Sequence, residues 1–156
     1  MPGLLQNHIA AVTGSGSGIG RAIAVGYARE GAHVAVLDIN GEAANATAAE
    51  IRAAGGKAQA FTLDVSDRNA CRAVAADVAK QIGQVSILVN NAGINRRNAF
   101  TGDADAVFKD WQDVMAITAH DHVTVAGRGG QRCKAGSVRR VPGKALGSRL
   151  ISQDFQ

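Results

Sequence analysis

Four glycines stand at alternate positions in Thr13-Gly14-Ser15-Gly16-Ser17-Gly18-Ile19-Gly20, between an apolar run and a stretch with helical spacing. A strand that enters a helix through such a loop suits an anionic group, above all a phosphate. The helix N-terminus offers unpaired N–H groups and the positive end of a dipole. Glycines let the backbone approach without Cβ interference. The spacing does not satisfy G-x-G-x-x-G in any frame, because Ile19 and Arg21 occupy the positions that would need glycine. It is not a P-loop either, because Arg21-Ala22 follows Gly20 where Lys and Ser or Thr would be required. The pattern that fits is T-G-x-x-x-G-x-G. Three other chemistry-bearing groups close apolar runs: Asp38, Asp64-Val65, and Asn90-Asn91-Ala92-Gly93.

The elements that must position these groups alternate in type. His8 to Val12, His33 to Leu37, Ala58 to Leu63 and Val85 to Val89 read as strands. Between them lie helical patterns: Ile19 to Arg29, Glu42 to Ala54, and a third that Ser66 is expected to cap and that runs to about Ile82. Gly31, Gly55-Gly56 and Gly83 follow as stops. Ile19, Ile23 and Tyr27, four apart, read as a core-facing stripe. A further helix is expected over Lys109 to Ile117, with Trp111, Val114 and Met115 as its apolar positions. Short strands alternating with longer helices indicate βαβ units. The strands are continuous apolar runs, which implies burial on both faces of a parallel sheet. The expected fold is α/β, a Rossmann-like three-layer αβα sandwich with right-handed crossovers.

With the glycine loop, Asp38, Asp64-Val65 and the Asn90-Asn91-Ala92-Gly93 motif in register on consecutive strand ends, the chain resembles the short-chain dehydrogenase/reductase family over roughly residues 5–117. Ligands of open α/β sheets bind at these carboxyl ends. The resemblance implies a strand order 3-2-1-4 for the strands present. It also implies a dinucleotide held by Thr13, Gly14, Ser15, Ser17, Gly18, Ile19, Gly20, Asp38, Asp64, Val65, Asn90, Asn91, Ala92 and Gly93. A carboxylate at Asp38 can accept hydrogen bonds from ribose hydroxyls and repels a 2′-phosphate. Ser15, Ser17 and Ile39 supply no cation to hold that phosphate, so NAD is expected over NADP. The competing reading is that Asp38 merely caps the following helix. Family members interconvert an alcohol and a ketone by hydride transfer, on small alcohols, sugars or ketoacyl groups, and full-length relatives are expected to be homo-oligomers.

The family's chemistry uses a Tyr-x-x-x-Lys pair with a Ser from the preceding strand, the lysine lowering the tyrosine pKa for proton exchange with the substrate oxygen. The single tyrosine, Tyr27, has Gly31 four residues on; Gly130 precedes Lys134 and Arg140 precedes Lys144 by the same spacing. The pair is absent from this sequence. Thr118 stands where the family carries an Asn, and Ser137 lies in Ala-Gly-Ser-Val-Arg-Arg, which does not read as a buried strand. No catalytic residue is assigned. The expectation is a chain inactive alone; the alternative is a non-catalytic nucleotide-binding module whose basic tail contacts a partner.

The charge is divided in the same way. The 156 residues carry a net +4. Residues 1–118 hold ten Lys and Arg against eleven Asp and Glu, and residues 119–156 hold seven against two. The second segment has no sustained period beyond the short Val123 to Ala126 run. The division proposed is therefore a nucleotide-binding segment, 1–117, and a basic tail, 118–156. Complete family members run to about 250 residues in one domain, so the tail is expected to come from a shifted reading frame or a truncated gene, the alternative being a genuine extension. Reading the coding DNA in its other two frames tests this: a Ser and a Tyr-x-x-x-Lys should emerge, and their absence defeats it.

Nucleic-acid binding is not expected, because Phe155 is the tail's only aromatic residue and stacking platforms are lacking. His120 and His122 flank Asp121 without helical spacing or a nearby Cys or His, so no metal site is expected. Cys71 and Cys133 form no CxxC pair, and no apolar run approaches the ~20 residues of a membrane helix. A cytoplasmic protein is expected. The sequon Asn45-Ala46-Thr47 then reads as chance.

Overall fold

The computed structural model describes residues 3–95 and 103–120. The readings that involve Val123 to Ala126, His122, Cys133, Ser137 and the arginines of the tail lie outside them. Eight elements follow in order: β1 (Ile9–Thr13), α1 (Gly18–Arg29), β2 (His33–Asp38), α2 (Gly41–Ala53), β3 (Lys57–Thr62), α3 (Arg68–Gln81), β4 (Ile87–Val89) and α4 (Ala104–His120).

The four strands form one parallel sheet in the order β3-β2-β1-β4, as the resemblance implied. Successive side chains on a strand point to opposite faces, and here both faces are covered. Ala10 and Val12 of β1, with Val34 and Val36 of β2, pack with Ala24 and Ala28 of α1 and Ala44, Ala48 and Ile51 of α2. Ala11, Ala35 and Leu37 face the other way, toward Val78 and Val74 of α3 and Ile117 of α4. Helices on both faces of a parallel sheet make the three-layer αβα sandwich. The alanines on the inner faces of α1 and α2 let those helices lie close to the strands. Arg21 and Glu50 join the two helices by an ion pair at 2.7 Å.

Several local expectations are corrected. Ser66 does not cap α3: Asp67 does, its Oδ1 accepting from the N–H groups of Asn69 and Ala70. Ser66 instead donates through N–H and Oγ to Asp64 Oδ1, at 2.9 and 2.6 Å. Ile19 leaves the core stripe and is 75% exposed, while Ile23 and Tyr27 pack against the core as expected. The last helix begins at Ala104, five residues before the expected start, and β4 is limited to Ile87–Val89. Gly31 ends α1 with φ 92°, a conformation that suits glycine.

Candidate nucleotide-binding site

All the functional groups named from the sequence stand at one end of the sheet, where the strands finish. Between them lies a cleft of about 420 Å³, lined by residues of the glycine loop, the ends of β2 and β3, the segment after β4, and Ile117 of α4. That volume is of the size of small-ligand pockets.

The glycine loop forms because β1 must turn sharply into α1. Gly14 has φ 60°, and a Cβ there would lie 2.9 Å from the Ala92 backbone. Gly20, in the first turn of α1, meets the Gly14 carbonyl so closely that a side chain would displace the loop. Ser17 is the N-cap of α1, and its side chain makes no capping hydrogen bond. The helical ladder begins only with Arg21 N–H on the Ser17 carbonyl at 3.1 Å. The amides of Gly18, Ile19 and Gly20 therefore precede the first intrahelical bond, and the first turn holds no acidic residue. This leaves a positive helix end at the cleft wall, where Ser17, Gly18 and Ile19 all line it.

Ser15 plays a different part from the one its place in the motif suggests. It is fully buried, and its Oγ donates to the Val12 carbonyl at 2.7 Å and accepts from Leu37 N–H at 3.0 Å. Its N–H bonds the Leu37 carbonyl. The side chain thus fastens the loop to β1 and β2 and does not line the cleft.

Asp38 closes β2 and lines the cleft. Its Oδ2 accepts from Gly16 N–H at 2.8 Å and its Oδ1 from Asn40 N–H at 2.9 Å. The cap of α2 is Asn40, which accepts from Ala43 N–H, so Asp38 is not spent on capping. A carboxylate has about four acceptor positions, and two remain for a ligand. Beside Asp38 stand Ile39, 69% exposed, and the end of β3, where Leu63 N–H donates to the Asp38 carbonyl at 2.9 Å and Asp64 and Val65 also line the cleft.

The segment after β4 is built onto β1. Thr13 Oγ1 accepts from the N–H groups of Asn91 and Ala92, each at 3.0 Å. Asn91 Nδ2 donates back to the carbonyls of Thr13 and Gly14, at 3.0 and 3.2 Å. Thr13 and Gly20 are thus supports of the cleft, while Asn91, Ala92 and Gly93 line it. Asn90 is exposed and outside the lining. Ile39, Leu63, Ile94 and Ile117 line the cleft without having been singled out from the sequence. Ile39 directly follows β2 and Leu63 directly follows β3, so each carried a signal through adjacency to an aspartate; Ile94 lies five residues past β4 and Ile117 comes from the far helix, and neither carried one.

A glycine cradle at an uncapped helix end, a free-edged carboxylate one strand over and an apolar slot beside it define a dinucleotide-type site on a Rossmann-like sheet. The family model described as short chain dehydrogenase matches residues 8–128. The chain belongs to the short-chain dehydrogenase family. It is 40% identical over 113 residues to D-threitol dehydrogenase of Mycolicibacterium smegmatis, an alignment that takes in 72% of this chain and 42% of that protein. It is 44% identical over 89 residues to 7alpha-hydroxysteroid dehydrogenase of Escherichia coli, covering 57% and 35% of the two chains.

Among solved structures, an NAD(P) dependent gluconate 5-dehydrogenase from Beutenbergia cavernae, with NADP bound at low occupancy, is similar at 39% identity and TM-score 0.64, covering 75% of this chain and 45% of its own. A short chain dehydrogenase from Mycobacterium avium is similar at 34% identity and TM-score 0.70, covering 77% and 44%. The chain thus spans less than half the length of these relatives. No helix among the described residues is long and apolar enough to cross a membrane.

Proposed function

We propose that this chain binds NAD(H) in preference to NADP(H), with its diphosphate at the N-terminus of α1 and its adenosine ribose on Asp38. The observation that carries this is the Asp38 carboxylate, fixed by two backbone N–H groups and facing the cleft with acceptor positions to spare. A 2′-phosphate placed there would meet like charge, and neither Ser17 nor Ile39 offers a cation. When bound, the nicotinamide supplies the hydride chemistry of the alcohol and ketone oxidoreductases that the chain resembles. The chain's own residues bind and orient. Tyr27, the sole tyrosine, packs against the core under α1 and not in the cleft, which favours a module that holds the nucleotide without turning over substrate by itself.

Titrating the full chain with NADH and NADPH, followed by ligand fluorescence, tests the reading. NADH should bind about tenfold tighter, a difference of ~1.4 kcal/mol. Silence toward both ligands would remove the site; equal or tighter NADPH binding would remove the preference. Steady NADH production from NAD with small alcohols or sugars would show that the chain is catalytic after all.

A further inference from the structure

Thr47 belongs to the sequon that reads as chance, and it is an outlier on its helix. The buried face of α2 consists of Ala44, Thr47, Ala48 and Ile51, so its hydroxyl is the polar group of an apolar surface. Thr47 is 1% exposed. A hydroxyl in that position needs a partner, and it donates to the Gly16 carbonyl in the phosphate loop at 3.3 Å. The N–H of the same glycine is held by Asp38 Oδ2 at 2.8 Å. Both polar groups of Gly16 are therefore fixed, one by α2 and one by the end of β2. Glycine permits this approach: a Cβ on Gly16 would lie 2.8 Å from Ala43 Cβ and 2.9 Å from Asp38 Oδ2.

The direction of the fixed carbonyl has a consequence. In a planar trans peptide the C=O and the following N–H point to opposite sides. With the Gly16 carbonyl turned toward α2, the Ser17 N–H turns away from it. Ser17 lines the cleft and is the N-cap whose side chain makes no capping bond.

We propose that Thr47 is a positioning residue of the phosphate cradle: through the Gly16 carbonyl it aims the Ser17 N–H at the place where a diphosphate binds. This rests on the dinucleotide reading given above. It assigns a role to a residue that lies outside the cleft lining and on a different helix from the loop.

The experiment uses the full chain with ADP, which carries the diphosphate, and adenosine, which carries only base and ribose. Calorimetry reads ADP and ligand-observed NMR reads adenosine. Thr47→Val keeps the shape and removes the donor; Thr47→Ser keeps the donor. The Val variant should bind ADP about fivefold more weakly, the loss of one neutral hydrogen bond, with adenosine binding unchanged and the Ser variant restored to wild-type affinity. A purely structural threonine would lower the melting temperature without separating the two ligands. Equal ADP affinity in Thr47→Val and wild type overturns the proposal, as does a proportional loss of both ligands. Hydrogen exchange at the Ser17 amide of the unsubstituted chain gives a reading independent of variant folding. ADP should slow it, and unchanged exchange in the presence of bound ADP overturns the proposal. A wild-type chain that binds neither ADP nor NADH would instead defeat the dinucleotide reading, and the role of Thr47 with it.

Discussion

Replacing Thr13 by Val should destabilise the protein and open the cleft at once. Thr13 is 2% exposed, and its Oγ1 accepts from two backbone amides, Asn91 and Ala92, each at 3.0 Å. It also lies 3.4 Å from the Val89 carbonyl, to which it donates. Valine fills the same space with no acceptor. Leaving a buried donor unpaired costs about 1–3 kcal/mol. Asn91 and Ala92 are half-buried, so water can reach them in part and the lower end of that range applies to each. The sum is on the order of 2–3 kcal/mol, a large share of the roughly 5–15 kcal/mol that holds a typical domain.

Urea unfolding followed by far-UV circular dichroism measures this directly. For a slope of ~2 kcal/mol/M, the midpoint should fall by about 1 M. Thr13→Ser, which keeps the oxygen, should lie much closer to wild type. Because Asn91 and Ala92 line the cleft, NADH affinity of the folded fraction should fall too. A midpoint shift under about 0.2 M for the Val variant would refute the view that this hydroxyl joins β1 to the segment after β4.

Ile51→Ala, at a residue 1% exposed between α2 and the sheet, should cost about 2–5 kcal/mol in the same assay, and a loss under about 1 kcal/mol would contradict its place in the core. Burial and the adjacent Lys57 push the His33 pKa below its usual value, so the unfolded chain binds the extra proton first. Stability should therefore fall as pH drops through about 6.5 and level off below the folded-state pKa. His33→Gln should flatten that slope, and an unchanged slope would assign it to other groups. Among the described strands β4 pairs only with β1, and its Leu88 is 37% exposed, so sedimentation velocity should reveal concentration-dependent self-association. A monodisperse monomer at high concentration would show that this edge is protected.

The sheet was legible because its signal is redundant. Burial on both faces forces β1 and β2 into unbroken apolar runs, and each run ends at a polar residue that faces the cleft or supports it. Asp38 and Asn91 could be named for the same reason: position at a strand end is readable in one dimension. What could not be read was the division of labour within the motif. Ser15 and Ser17 have equal standing in the pattern, yet one is buried across two strands and the other lines the cleft. The turn geometry decides between them, and no side-chain preference encodes it. Ile19 misled for a related reason. Its spacing from Ile23 and Tyr27 is that of a core stripe, but in the first turn of α1 it is Gly20 that is buried against the loop, while Ile19 is exposed and lines the cleft. Asp67 displaced Ser66 as a cap because Asp64 had already claimed the serine hydroxyl. Thr47 lay outside any local pattern, since its partner is in another element.

The missing side-chain cap on α1 gives the bound nucleotide a second meaning. A helix whose opening amides wait for an outside acceptor is completed by its ligand, so on the proposed reading binding and folding share free energy. At a ligand concentration a hundred times its Kd, that linkage contributes about 2.7 kcal/mol to the folded state. A chain whose β4 pairs only with β1 among the described strands, and whose loop junction is half-buried, would then persist in proportion to the nucleotide around it. Its abundance, and not only its occupancy, would follow the local dinucleotide pool.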